Sequence, residues 1–165
     1  MKKTFDIETW RRATPDQALR MALLFIILIG MIGSGTELIL LNHIEERLQW
    51  LPLVLIAAGV SASMWHAFRA SAMSVRALQA IYFAFVLAGV AGMYFHYQGA
   101  IEFKLESKPS LKGWELFRQA IFSKAPPLLA PGAMIQLGLL GLIYTYRHPA
   151  ITKTGGENVK STEGD

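Results

Sequence analysis

The chain contains no cysteine, and this absence excludes several kinds of site at once. Disulfide bridges, iron–sulfur clusters, thiolate zinc sites and cysteine nucleophiles all require that side chain. Charge is also scarce, because Asp, Glu, Lys and Arg make up 17% of the 165 residues, whereas soluble chains carry about 25%. Hydrophobic residues make up 53%. This balance is typical of a membrane protein rather than of a soluble domain.

Several catalytic motifs are missing as well. The sequence has no G-x-S-x-G turn, no G-x-x-x-x-G-K loop and no H-E-x-x-H pair, so serine hydrolases, P-loop nucleotide sites and zinc peptidases find no support. We therefore expect a protein that is not an enzyme. The net charge of +4 is accounted for by Lys and Arg beside the apolar segments, so no nucleic-acid partner is expected.

What the chain has instead is four long apolar segments. A helix needs about 20 apolar residues to cross a hydrocarbon core of roughly 30 Å, and each segment has about that length. The pattern predicts an all-α integral membrane protein, a bundle of four transmembrane helices forming one domain over residues 1–150, with a disordered cytoplasmic tail over 151–165. The predicted spans are residues 18–41, 50–68, 76–97 and 127–146. Before the first span, Thr14-Pro15-Asp16-Gln17 is typical of a capping box, which predicts a helix that begins near Pro15.

Lysine and arginine are distributed unevenly around these spans. With four spans both termini lie on one side, and that side, together with the second loop, carries more Lys and Arg than the opposite side. The positive-inside rule therefore predicts that both termini are cytoplasmic. We expect a multi-pass protein in contact with the lipid bilayer, with the inner membrane of a bacterium as its default location.

The outer loop between the third and fourth spans carries an amphipathic pattern. Its apolar residues recur at three- and four-residue steps: Leu111, Trp114, Phe117 and Ile121. Ser110 stands where an N-cap is expected. The pattern predicts one amphipathic helix over about 110–122 that lies in the outer interface of the membrane.

Small residues mark one face of each predicted span. In the third span they recur every four residues, at Ala80, Ala84, Ala88 and Gly92. Such residues allow helix backbones to approach closely in a membrane. One interpretation is packing within a single bundle; the other is that some of these faces bind the helices of other membrane chains or of a second copy.

Polar side chains that could carry chemistry collect at the outer ends of the first and third spans. Glu37 is the only carboxylate inside a span, and an ionisable group in that position is a functional candidate by default. His43 and His96 end two spans that run in the same direction, and Glu102 follows shortly after His96. Imidazoles and carboxylates are ligands for zinc, copper or non-haem iron, so these four residues form the candidate metal site. The alternative is that they serve as polar anchors and hold no cofactor.

A second pair of histidines, His66 and His148, lies near the inner ends of the spans. One histidine pair at each face is the outline of a dihaem cytochrome, so haem is a further candidate cofactor. However, His148 stands next to Pro149 and falls outside the predicted helix, which counts against this hypothesis.

Three functions remain open at this point. The leading hypothesis is a non-catalytic accessory or structural subunit of a larger membrane complex, favoured by the small-residue faces, the amphipathic outer loop and the incomplete catalytic sets. The first alternative is a metal- or haem-binding redox protein with its site at the outer face. The second alternative is an oligomeric proton- or ion-coupled transporter in which Glu37 is the coupling acid.

Overall fold

A computed structural model describes residues 13–42, 45, 47–122 and 129–152, and over these residues the protein is helical without strands. A short 3-10 turn, Arg47–Gln49, precedes the second helix. The helices are α1 (Pro15–Leu40), α2 (Trp50–Phe68), α3 (Ala72–Ser107), α4 (Gly113–Ile121) and α5 (Leu129–Thr145). The all-α prediction is confirmed. The predicted tail beyond Thr152 and the first residues of the predicted fourth span lie outside the described residues.

Three of the described helical segments are long and apolar enough to cross a membrane: α1, α2 together with its preceding turn, and α3. This is what a multi-pass membrane protein requires. Helix α5 is also apolar but has only 17 residues, which corresponds to about 25 Å at 1.5 Å per residue. By length and composition, three helices could therefore span a membrane, and α5 is a shorter apolar helix.

The start of α1 follows the predicted capping box. The backbone N–H of Gln17 donates to Thr14 Oγ1 at 3.4 Å, and the backbone N–H of Thr14 donates to Gln17 Oε1 at 3.1 Å. A second box, which the sequence analysis did not identify, starts α3: Ser71 and Ser74 exchange the same pair of bonds, at 3.1 and 3.0 Å. These bonds satisfy amide donors that a helix start otherwise leaves unpaired.

Helix α3 is much longer than the predicted span, since it begins at Ala72 and continues to Ser107. Hydropathy marks where charge resumes after Tyr97, but nothing in the next ten residues breaks a helix. Pro109 is the first residue that does. Helix α4 begins at Gly113, with Lys112 as its N-cap residue, and not after the predicted Ser110 cap. Gly113 adopts a positive φ of 55°. A residue without a Cβ adopts this conformation readily.

The long helices pack pairwise: α1 contacts α2 and α5, and α3 also contacts α2 and α5. We call the end of the molecule that carries Arg20, His66 and His148 the termini end, and the opposite end, which carries Glu37 and His96, the far end. The core lies nearer the termini end. Its fully buried side chains include Ile27, Met31, Leu78, Tyr82 and Phe85.

Candidate functional site

A cavity of about 1090 Å³ opens at the far end of the molecule, and we call it the vestibule. Residues from α1, α2, α3 and α5 all line it. Glu37, His96 and Glu102, three of the four predicted site residues, are among them. The fourth, His43, lies outside the described residues. The structure therefore brings the three described candidates to one cavity.

Glu37 lies in the last turn of α1, and its side chain is exposed to the vestibule. Within the described part of the chain, its carboxylate makes no hydrogen bond and no ion pair. A charged carboxylate near the membrane boundary needs water, a proton or a cationic partner. The carboxyl group of Glu37 is therefore accessible to whatever enters the vestibule.

His96 and Glu102 lie on α3, six residues apart and on the wall opposite Glu37. Among the residues that the structure describes, no three His, Asp or Glu side chains lie close enough together to hold a metal ion. A metal site would therefore depend on His43, and the predicted set of Glu37, His43, His96 and Glu102 stays a prediction.

Polarity changes along the length of the vestibule. Its α3 wall runs from Ala88 to Lys104, which is about 24 Å along the helix axis. The deepest lining residues, Ala88 and Met134, are apolar, whereas Glu102 and Lys104 lie at the outer end. Glu37 lies deeper than Glu102, near the level of Gly92, because Met31 and Phe85 are level at Gly59. The vestibule therefore carries charge at its outer end and one carboxylate farther in.

A second surface feature is a shallow groove on the outside of α1 and α2, which we call the α1–α2 groove. It measures about 440 Å³, and small residues form much of its floor: Gly35, Thr36, Ala57 and Ser61. The hydroxyls of Thr36 and Ser61 donate to carbonyls of their own helices, those of Ile32 at 2.8 Å and Ala57 at 2.7 Å. Neither hydroxyl donor is left unpaired, so the groove presents a compact and mainly apolar surface.

A buried polar cluster occupies the termini end. The imidazoles of His66 and His148 are 97% and 91% buried, and their ring centroids lie 4.9 Å apart in edge contact. Nδ1 of His66 lies 2.8 Å from Ser74 Oγ, and the Tyr144 ring contacts both imidazoles. Because the two imidazoles touch, no haem macrocycle fits between them in this arrangement.

Arg20 closes this cluster from α1. Its guanidinium donates to the carbonyl oxygens of Tyr144 at 2.7 Å, Tyr146 at 3.2 Å and Arg147 at 3.4 Å. These carbonyls end α5, where the helix leaves acceptors unpaired and carries a partial negative charge. Arg20 therefore supplies the C-terminal cap that α5 lacks within its own sequence.

The environment of His148, beyond the end of α5, keeps its imidazole neutral. Burial, followed by the neighbouring His66 and Arg20, lowers the pKa of His148 from 6.5 to about 4. Its Nδ1 accepts a hydrogen bond from the backbone N–H of Ala150 at 3.2 Å, a contact that also needs the neutral ring. Depth along the spans pairs His66 with His148 but does not indicate Arg20, which is separated from Tyr144 by 124 positions. Nor does it indicate Ser74, which reaches His66 across the turn between α2 and α3.

Comparison with known proteins assigns no family. No protein-family model, no curated protein and no solved structure matches this chain.

Proposed function

We propose that this protein is a non-catalytic accessory or structural subunit of a larger membrane complex in the inner membrane of a bacterium. In this proposal α1, α2, α3 and α5 are its four transmembrane helices, and both termini are cytoplasmic. Helix α4 lies in the outer interface, an arrangement supported by its exposed aromatic side chains, with Trp114 73% and Phe117 41% exposed. Such rings favour the boundary between lipid and water.

The observation that carries the subunit function is the α1–α2 groove. Helices associate in membranes through close backbone packing, because lipid chains remove most of the hydrophobic driving force that operates in water. Exposed short side chains, Thr36 on α1 and Ala57 and Ser61 on α2, line the groove and leave room for another backbone. We propose that the groove receives an apolar transmembrane helix of a different chain.

A matched pair of alanine substitutions tests this proposal. Ala57 lies in the groove, whereas Ala67 is an exposed alanine of α2 outside it. A57L would fill the groove and reduce recovery of the partner about tenfold, since a lost close contact of roughly 1.4 kcal/mol changes affinity by that factor. A67L would leave recovery unchanged. The measurement is the molar ratio of each co-purified chain to the tagged protein after solubilisation in mild detergent.

The supporting result is a chain recovered at a fixed ratio with wild type and A67L and lost with A57L, while all three proteins keep the same melting temperature. Recovery that is equal for all three variants contradicts the proposal. A wild-type protein that is purely self-associated, with A57L breaking that association, contradicts it as well, because the groove would then bind a second copy.

A further inference from the structure

Glu37 belongs to the face of α1 that borders the vestibule. The residues of α1 that line the cavity recur at steps of three and four: Ser34, Glu37, Leu38 and Leu41. Residues at this spacing share one face of a helix. The side chain of Glu37 is exposed, so α1 presents one accessible carboxylate to the vestibule.

This carboxylate lies far from the charged outer end. Met31 of α1 and Phe85 of α3 lie at the same level of the core. Glu37 and Ala91 each follow six residues later on helices that run in the same direction, so they are level as well. Lys104, thirteen residues beyond Ala91, lies about 20 Å farther out along α3. Since Lys104 is the only lysine or arginine among the described lining residues, that part of the wall offers Glu37 no cationic partner.

The walls at the level of Glu37 are apolar and leave space. There α3 presents Ala91 and Gly92, α5 presents Pro131 and α2 presents Pro52. All four have short side chains without a polar group. The cavity of about 1090 Å³ is slightly larger than the roughly 300–1,000 Å³ of most small-molecule sites. A bulky apolar ligand therefore fits here, and a positive charge on it would meet the carboxylate.

The chemistry of these walls distinguishes between kinds of cation. A divalent metal ion takes about six or more oxygen ligands, and a primary ammonium brings three donors that need acceptors. Near the level of Glu37 the wall of α1 offers its carboxylate and, one turn deeper, the Ser34 hydroxyl. A quaternary cation needs neither ligands nor acceptors, because apolar groups cover its charge. Phe95, one turn beyond Ala91 in the same wall, adds an aromatic ring, and such rings attract quaternary cations.

We propose that the vestibule binds one lipophilic quaternary cation. Its charge lies beside the Glu37 carboxylate, and its apolar groups contact Ala91, Gly92 and Pro131. The cation takes the place of the water or proton that a carboxylate in this position otherwise needs. This inference goes beyond the subunit function and is independent of it, because it concerns the vestibule and not the α1–α2 groove.

Tetraphenylphosphonium is the probe that tests the proposal, because its charge is permanent and its surface is apolar. Isothermal titration calorimetry of the full-length protein in matched detergent measures the stoichiometry and the Kd, at a mildly alkaline pH where imidazoles are neutral. We expect one cation per chain. Tetraphenylborate has nearly the same shape and the opposite charge, and it should show no saturable binding.

Two substitutions of glutamate in the same cavity form a matched pair. E37Q removes the charge beside the ligand and should weaken binding about tenfold, which corresponds to roughly 1.4 kcal/mol. E102Q removes the same charge eleven residues beyond Ala91, about 16 Å farther out, and should leave the Kd unchanged. The melting temperature of each variant in detergent verifies that it is folded.

A second pair of substitutions tests the cavity itself. Ala91 is exposed in the vestibule wall, so A91F fills the space at the level of Glu37 without entering the core and should abolish binding. Val90, its neighbour on α3, is also exposed but lies outside the lining. V90F therefore adds a ring outside the vestibule and should bind the probe as the wild type does.

Several results overturn the proposal. Wild-type protein that binds no tetraphenylphosphonium, or that binds tetraphenylborate equally well, contradicts it without any variant. Binding that E37Q leaves unchanged, or that E37Q and E102Q weaken equally, shows that Glu37 does not pair with the cation. Binding that survives A91F lies elsewhere on the protein. Displacement of the probe by an equal concentration of sodium chloride shows that the site selects an inorganic cation, which also contradicts the proposal.

Discussion

Arg20 and His148 show how one cation can affect two neighbours in opposite ways. Three carbonyls at the end of α5 accept hydrogen bonds from the Arg20 guanidinium, and such charge-assisted bonds are stronger than neutral ones. The same positive charge opposes protonation of His148. Arg20 therefore stabilises the termini end as long as the imidazole of His148 stays neutral.

Acid should destabilise the protein through His148. The pKa of this imidazole is about 4 in the folded protein and 6.5 ordinarily, so the unfolded chain binds the proton more readily. Stability is complete above pH 6.5 and falls as the pH decreases from 6.5 towards 4. The measurement is the melting temperature in detergent from pH 7.5 to 4.5.

The control for this effect is H148N, whose side-chain oxygen can still accept the hydrogen bond from the Ala150 N–H but cannot titrate. The wild type should lose more thermal stability than H148N over that pH range. Identical pH profiles for the two proteins would show that His148 does not change its protonation state on unfolding.

At the scale of the elements, the contact between α3 and α5 depends on glycine. A Cβ built at Gly141 overlaps the ring of Tyr82, and one at Gly138 comes within 2.7 Å of the Tyr82 carbonyl oxygen. Tyr82 is fully buried, so its ring has little room to move. The two glycines set the distance at which α5 packs on α3.

Adding one methyl group at this contact should therefore be costly. We expect G141A to lower the free energy of unfolding by about 1–3 kcal/mol, the usual effect of overpacking a core. G33A is the matched control, because a Cβ at Gly33 meets no atom within 4 Å, and alanine favours a helix; its stability should be unchanged or slightly raised. Unfolding in detergent, followed by circular dichroism, measures both, and equal effects would contradict the packing of α5 on α3.

Local sequence signals predicted where helices begin better than they predicted which helices are neighbours. The Thr14–Gln17 box marked the start of α1 because both partners lie within four residues. Hydropathy located the spans but not the end of α3 at Ser107, since it detects the membrane boundary and not the helix end. In the Ser71–Ser74 box, Ser74 stands where the pattern usually has Glu or Gln. The sequence pattern therefore did not predict this helix start.

The residues of the candidate site could be predicted from the sequence, but their position in one cavity could not. Three residues were candidates because polar groups are rare near apolar segments: Glu37, His96 and Glu102. That they share a vestibule depends on which helices are neighbours, and the hydropathy pattern does not determine this. The same reason hid the contact of Arg20 with the end of α5.

At the scale of the whole molecule, polarity is divided between its two ends. The vestibule lies at the far end and the histidine cluster at the termini end, and the fully buried side chains of Ile27, Met31 and Phe85 lie between them. Passage of an ion through one copy would require these apolar side chains to separate. A path through a single copy would therefore have to cross an apolar core.

The side of the membrane on which each loop lies depends on whether α5 crosses it. Because the natural chain has no cysteine, each introduced cysteine is the only thiol in the protein. We expect K108C, after α3, to react with a membrane-impermeant maleimide on intact cells. A70C, between α2 and α3, and T152C, after α5, should react only after permeabilisation, as the Lys and Arg distribution predicts.

A70C reports the termini side whether or not α5 crosses the membrane, so the labelling of T152C decides the question. Labelling of T152C together with A70C shows that 17 apolar residues suffice to cross. Labelling of T152C together with K108C would leave three spans and contradict the four-span bundle.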